Sequence, residues 1–167
     1  GYAAYLELTE GGRRRVAIAG DSAGAGLSIS IALEAARRGD AMPAAVGLVC
    51  PYVDVTIAGI EMRQECTREP LLTPELMQDF GSTYAADADR TDPRLSPIFG
   101  ADEHFAAFPT VVMDSASDDP LLTDAQRLHV RFDAAGVSCD AVEYEDLWHD
   151  FHLFGSLFAP ARRATSD

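Results

Sequence analysis

Arg14-Arg15-Val16-Ala17-Ile18-Ala19-Gly20-Asp21-Ser22-Ala23-Gly24-Ala25-Gly26 runs from an apolar strand pattern, through a glycine-flanked serine, into a helix. Residues 20–24 are a G-x-S-x-G sequence. A serine on a sharp strand-to-helix turn is a nucleophile elbow. Such a turn forces the serine into a strained backbone conformation. A side chain at Gly20 or Gly24 is then expected to collide with the neighbouring strand or helix. The turn leaves the hydroxyl exposed. The next backbone N–H, that of Ala23, points from a helix N-terminus towards a developing oxyanion.

The flanks sharpen this reading. Val16 to Ala19 is continuously apolar, as a strand buried on both faces should be. After the elbow, Leu27, Ile31 and Ala35 recur at helical spacing and predict the inner face of a helix over about 23–38. Arg37 and Arg38 fall in its last turn and Gly39 follows as a stop. The bland alternative is a phosphate-binding glycine turn. No Lys stands in the P-loop position, and the spacing is not G-x-G-x-x-G.

Composition sets the limits. The 167 residues suffice for one domain with a core. No run of about 18 apolar residues predicts a membrane span. The first residues, Gly-Tyr-Ala-Ala-Tyr-Leu-Glu, do not read as a signal peptide. A formal net charge of −14 argues against nucleic acid or an anionic membrane as partner. Cys50, Cys66 and Cys139 are odd in number and widely spaced, which predicts reduced thiols and a cytoplasmic protein. Cys50 reads as a small core residue. His149 and His152 form an H-x-x-H pair without a third ligand at a recognisable spacing, so no metal or other cofactor is expected.

Apolar strand segments at about 14–19, 44–50, 109–114 and 138–145 alternate with helices at about 23–38 and 123–135. In the second helix Thr123 is the expected N-cap and Gly136 the stop, with Ala125, Leu128, Phe132 and Ala135 inward. Alternation of this kind means βαβ units and a parallel sheet: an α/β fold. Segment 55–108, rich in Pro, Asp and Glu, is an excursion from the sheet with helical pieces such as Thr73 to Ala86. Excursions of this type shape pockets.

A serine nucleophile needs a base, and the base an orienting acid. His129 falls inside a helix and His104 precedes the third strand. His149 and His152 follow the last strand, where base and elbow meet if the sheet is parallel. Asp114, Asp118, Asp119 and Asp124 are candidate acids after the third strand.

Four segments resemble the hormone-sensitive-lipase-like esterases of the α/β-hydrolase fold. Gly20-Asp21-Ser22-Ala23-Gly24 is similar to the elbow of the GDSAG branch. Asp92-Pro93-Arg94-Leu95-Ser96-Pro97 resembles a D-P-x-x-S-P segment, Asp119-Pro120-Leu121 the D-P-L that carries the acid, and Trp148-His149-Asp150-Phe151 the H-G-F that carries the base. The resemblance implies Ser22 as nucleophile, Asp119 as acid, His149 as general base and the Ala23 N–H in the oxyanion hole. It implies hydrolysis of short- to medium-chain acyl esters through an acyl-enzyme, without a cofactor. Asp118 stays open as the acid, and His152 is read as a wall residue. Asp150 departs from the usual glycine.

The family's H-G-G-G segment, which supplies further oxyanion donors, has no match here. Gly11-Gly12 is the only glycine pair upstream of the elbow and has no His before it. Residues 1–167 are therefore expected to be the C-terminal part of one catalytic domain, with the sheet incomplete on its N-terminal side. The alternative is a non-catalytic binding module or an inactive fragment. The resemblance also makes a homodimer through the last strand an expectation. Asp140, Glu143 and Glu145 blunt that edge, while Val16 to Ala19 carries no charge between Arg15 and Asp21. The 167-residue chain is expected to self-associate at micromolar concentration in sedimentation velocity. A compact monomer with one cooperative unfolding transition overturns that expectation.

Overall fold

In the computed structural model, residues 1–10, 15–62, 69, 72–155 and 157–164 are described. The chain begins with α1 (Tyr2–Thr9), followed by β1 (Ile18–Asp21), α2 (Ser22–Arg38) and β2 (Val46–Val49). The excursion carries α3 (Ile57–Glu61), α4 (Pro74–Ala85), a 3₁₀ turn at Pro97–Phe99 and α5 (Asp102–Phe105). The chain returns through β3 (Val111–Ala116), α6 (Leu122–Ala134) and β4 (Cys139–Tyr144), then a 3₁₀ turn at Phe151–Phe154 and α7 (Ala159–Ala164). The four strands form one parallel sheet in the order β1-β2-β3-β4. Ile18 lies opposite Val46, Val46 opposite Val111, and Val111 opposite Cys139. The result is an α/β fold, a parallel sheet flanked by helices, as the alternating sequence pattern predicts.

Helices α2 and α6 cover one face of the sheet. Ile29 and Leu33 from α2 meet Leu48, Val111 and Met113 from the strands, and Leu128 and Phe132 from α6. Phe105, Phe108 and Phe132 close this core, with ring centroids 5.3–5.6 Å apart. A smaller cluster of Cys50, Ala116, Leu147, Phe151 and Ala161 packs where the last loop crosses the strand ends.

Several sequence expectations shift. The first strand starts at Ile18 rather than 14 and runs on to Asp21; Arg14 lies outside the described residues. It is not buried on both faces: Ile18 and Gly20 are half-buried, while Ala19 and Asp21 are exposed. Ile18 packs against the α2–α6 core, and the alternate residues Ala19 and Asp21 face away from it. β3 is displaced to Val111–Ala116, in register with β4 along its whole length.

In α2 the inner face is Ala25, Ile29, Ala32, Leu33 and Ala35, whereas Leu27 is 45% exposed. The reason lies in close packing. A Cβ at Gly26 would stand 2.2 Å from the Tyr52 carbonyl oxygen, so this side of the helix meets backbone directly. Gly39 ends α2 at φ 71, its N–H bonding to Ala36 O. In α6, Thr123 is not the N-cap. The helix starts one residue earlier, at Leu122, with Leu121 in the cap position, because the Asp119 carboxylate accepts the Leu121 N–H and sets the turn. Gly136 follows α6 at φ 70.

The excursion is tied down by polar contacts. The Thr73 hydroxyl accepts the Leu76 N–H and caps α4, with Pro74 in its first turn. Ser96, fully buried, accepts the Val55 N–H through Oγ at 2.9 Å. Among the described residues no helix is long and apolar enough to cross a membrane.

The two glycines after the elbow are expected to behave differently on substitution. A Cβ at Gly24 meets only Asp21 Oδ1, at 3.6 Å, so the collision expected there does not occur. Gly26→Ala forces backbone apart and is expected to lower unfolding free energy by about 1–3 kcal/mol or more, whereas Gly24→Ala leaves it nearly unchanged. Urea midpoints at constant slope measure both; equal losses overturn the distinction.

Candidate active site

Parallel strands deliver their C-terminal ends to one edge, and the loops leaving that edge assemble the site. β1 ends at Asp21, and Ser22 occupies the turn at φ 52. A non-glycine residue held there costs about 1–3 kcal/mol. Gly20 makes the turn possible, since a Cβ on it would lie 2.3 Å from the Gly24 carbonyl carbon. The Ser22 carbonyl accepts the Tyr52 N–H, fixing the elbow against the loop after β2.

The loop after β3 carries Asp119, which is 2% exposed. Its Oδ1 accepts the Leu121 N–H at 2.7 Å, leaving Oδ2 to face the imidazole. The loop after β4 carries His149, which is 5% exposed. Its Nδ1 lies 2.8 Å from Asp119 Oδ2 and its Nε2 lies 2.9 Å from Ser22 Oγ. A carboxylate can only accept, so Nδ1 carries the proton and Nε2 presents a lone pair to the hydroxyl in the neutral ring. The arrangement can move a proton from Ser22 Oγ onto His149 while Asp119 holds the ring.

The other candidates lie elsewhere. Asp118 donates its backbone N–H to Leu147 O. Asp114 lies within β3, and Asp124 Oδ2 accepts the Val53 N–H. His104 belongs to α5 and exposed His129 to α6. His152 packs edge-on against Phe151. Ala23 follows in the first turn of α2 and lines the cleft over the elbow. Gly11-Gly12 and Cys66 lie outside the described residues.

Sequence reasoning missed several groups. Glu69 accepts the His149 N–H through Oε2 at 2.8 Å and the Leu72 N–H through Oε1, joining the base loop to the excursion. Cys50 is the small core residue its sequence context predicts, packed with Ala116 and Phe151, but its surroundings are polar on one side. It is buried, at φ 44, and its thiol lies within 4.8 Å of ligand-type atoms of both Asp119 and His149. That cluster is the acid–base pair plus a thiol, and Nδ1 and Oδ2 are already spent on each other. No H-x-x-H chelate forms, because His149 uses its nitrogens on Asp119 and Ser22. Arg127 bonds Asp54 Oδ2 at 2.8 Å, and Asp54 Oδ1 accepts from the Thr56 N–H and hydroxyl, which pins the loop after β2. Asp124 and Arg127 are an i, i+3 pair on α6; nothing local marks such residues as facing another loop.

Electrostatics follow from burial and partners. Burial by itself lowers the His149 pKa, but hydrogen bonds to Asp119, Asp150 and Cys50 outweigh it and raise the value. Burial pushes the Cys50 thiol up to about 12, so it stays protonated. Burial lowers His152, which stays neutral near pH 7. Above the elbow a cleft of about 950 Å³ opens, with Leu27, Tyr52, Met77, Phe80 and Leu121 on its walls.

Residues 1–153 match the family described as alpha/beta hydrolase fold. The chain is 35% identical over 167 residues to LipR of Mycobacterium tuberculosis, covering 99% of this chain and 53% of that protein. It is 32% identical over 165 residues to an acetyl-hydrolase of Streptomyces hygroscopicus, covering 97% and 54%. A crystal structure of a hormone-sensitive lipase from a metagenome library superposes with a TM-score of 0.83 at 33% identity, over 98% of this chain and 54% of that one. The chain thus spans about half the length of the curated relatives it matches. On the fold and these similarities together, the chain belongs to the α/β-hydrolase family and is similar to hormone-sensitive lipases and esterases within it.

Proposed function

We propose that this chain carries the nucleophile, base and acid of a carboxylic ester hydrolase. The observation that supports the reading most directly is the unbroken line from Ser22 Oγ through His149 to Asp119, with contacts of 2.9 and 2.8 Å. In this reading His149 Nε2 takes the hydroxyl proton as Ser22 Oγ attacks the ester carbonyl. The Ala23 N–H stabilises the oxyanion from the N-terminus of α2. The tetrahedral intermediate collapses, the imidazolium returns its proton to the leaving alcohol, and an acyl-enzyme remains. Water, deprotonated by the same imidazole, releases the acid. Asp119 holds the Nδ1–H tautomer throughout and stabilises the charged ring.

The substrates proposed are short- to medium-chain acyl esters. The cleft is lined largely by apolar side chains and lies within the usual size range for small-molecule sites. That the relatives include a protein named acetyl-hydrolase supports the same class. The intact His149 contact speaks for catalysis over a binding module that keeps only the elbow.

Hydrolysis of p-nitrophenyl acetate and butyrate tests the assignment. Ser22→Ala is expected to abolish turnover. Asp119→Asn is expected to lower kcat by about 10⁴, by losing the productive tautomer, while Asp118→Asn stays near the parent rate. Equal rates for parent and Ser22→Ala overturn the function. A damaging Asp118→Asn with a harmless Asp119→Asn overturns the choice of acid.

A further inference from the structure

Among the described residues, the side chain of Asp150, directly after His149, makes no structural hydrogen bond that explains an acid there. It stands at φ 52, ψ 31, at the N-cap of the 3₁₀ turn Phe151–Phe154, yet makes no side-chain cap hydrogen bond. Asn and Gly suit that left-handed conformation as well as Asp. Its Oδ1 is buried and has no hydrogen-bond partner among the described residues. Its Oδ2 lies 3.2 Å from His149 Nε2, the nitrogen that also meets Ser22 Oγ at 2.9 Å.

One ring nitrogen offers either a single lone pair or a single N–H. When His149 is neutral, the Nε2 lone pair accepts the Ser22 hydroxyl and confronts the lone pairs of Asp150 Oδ2. When His149 is protonated, Nε2–H turns to Asp150 and Ser22 loses its acceptor. We propose that Asp150 is a positioning residue that competes with Ser22 for His149 Nε2 and thereby sets the pH at which the serine is activated. The inference rests on the reading of Ser22, His149 and Asp119 as the reacting relay.

The surroundings agree. Asp119, from the loop after β3, holds Nδ1. Cys50, from the end of β2, approaches the ring with a thiol that stays neutral. Glu69, from the excursion, is engaged with the His149 backbone N–H. His152, on the same turn as Asp150, has both ring nitrogens buried without a hydrogen-bond partner among the described residues, and it faces Asp150 and Asp21. Among the described residues no Lys or Arg pairs with Asp150. Two carboxylates on one imidazole both favour its protonated form.

The reaction balances without a co-reactant. In acylation the Ser22 O–H bond breaks, Nε2–H forms, and Oγ bonds to the acyl carbon. The new N–H points between the leaving oxygen and Asp150 Oδ2, and Asp150 must release it for the alcohol to depart.

The sign is fixed. Removing the Asp150 charge disfavours the imidazolium, so His149 deprotonates at lower pH and hydrolysis begins at lower pH. Profiles of kcat/KM for p-nitrophenyl acetate are compared for parent, Asp150→Asn and Asp150→Gly, two variants that fit the positive φ. The midpoint of the rising limb is expected to fall by about one pH unit or more in both, with the plateau within about tenfold of the parent. A cap or fold role predicts instead that Asp150→Asn behaves as the parent and only Asp150→Gly is impaired. In parallel, ring ¹⁵N titration of His149 is followed by NMR, and it reads the same shift whether or not the protein hydrolyses esters. An unchanged His149 midpoint in Asp150→Asn overturns the proposal, and so does a shifted ring midpoint with an unmoved kcat/KM limb. Parent-like hydrolysis by Ser22→Ala overturns the relay reading instead, and leaves the ring titration to decide what Asp150 does.

Discussion

Backbone-to-backbone closeness at the elbow governs much of this structure. Gly20 faces the Gly24 carbonyl and Gly26 faces the Tyr52 carbonyl, at distances that leave no room for a methyl group. These two approaches let the chain reverse from β1 into α2 within one residue. They also press α2 against the loop after β2. The Tyr52 N–H then bonds the Ser22 carbonyl, so the serine is held from the front and from behind. Because α2 enters at this angle, its buried face is made of Ala25, Ile29, Ala32 and Leu33, and Leu27 is left to the cleft wall.

The parallel sheet does the rest by register. Ser22, Cys50, Asp119 and His149 come from the loops after four successive strands, and strand pairing fixes their separations before any side chain is placed. Burial then determines their chemistry. Asp119 and His149 are both nearly inaccessible, and a buried charge is tolerated only when it is paired. The 2.8 Å contact between them satisfies that condition.

What could be read in the sequence was whatever depends on local backbone chemistry. The need for glycine at 20, the alternation of strands and helices, and the stops at Gly39 and Gly136 each follow from short-range rules, and the structure has them, whereas Gly24 has room for a methyl group. The rank order of acids near β3 could not be read locally. Asp118 and Asp119 are adjacent and alike, and what separates them is which one the turn aims inward. On α2 Ala35 keeps to the expected inner face and Leu27 departs from it, because helical spacing alone cannot reveal a backbone carbonyl from a distant loop. The cap expected at Thr123 lies two residues earlier, at Leu121, because Asp119 supplies the turn. Glu69, Asp54 and Arg127 are not legible for a similar reason: each acts across a long sequence separation, Glu69 on a backbone amide and Asp54 and Arg127 on each other.

Strain is distributed in keeping with this division. Among the described residues, five non-glycine positions have positive φ, and three of them, Ser22, Cys50 and Asp150, surround the imidazole of His149. Each such position costs about 1–3 kcal/mol, and none is relieved by a glycine. The cost falls on the core, where the aromatic trio and the α2–sheet–α6 packing hold the strand ends rigid. A glycine at 22 would lose the hydroxyl. A glycine at 50 would lose the thiol beside the acid–base pair, and one at 150 would lose the carboxylate on Nε2. These positive-φ positions thus coincide with the side chains that touch the ring, where relaxing the backbone to glycine would remove those contacts.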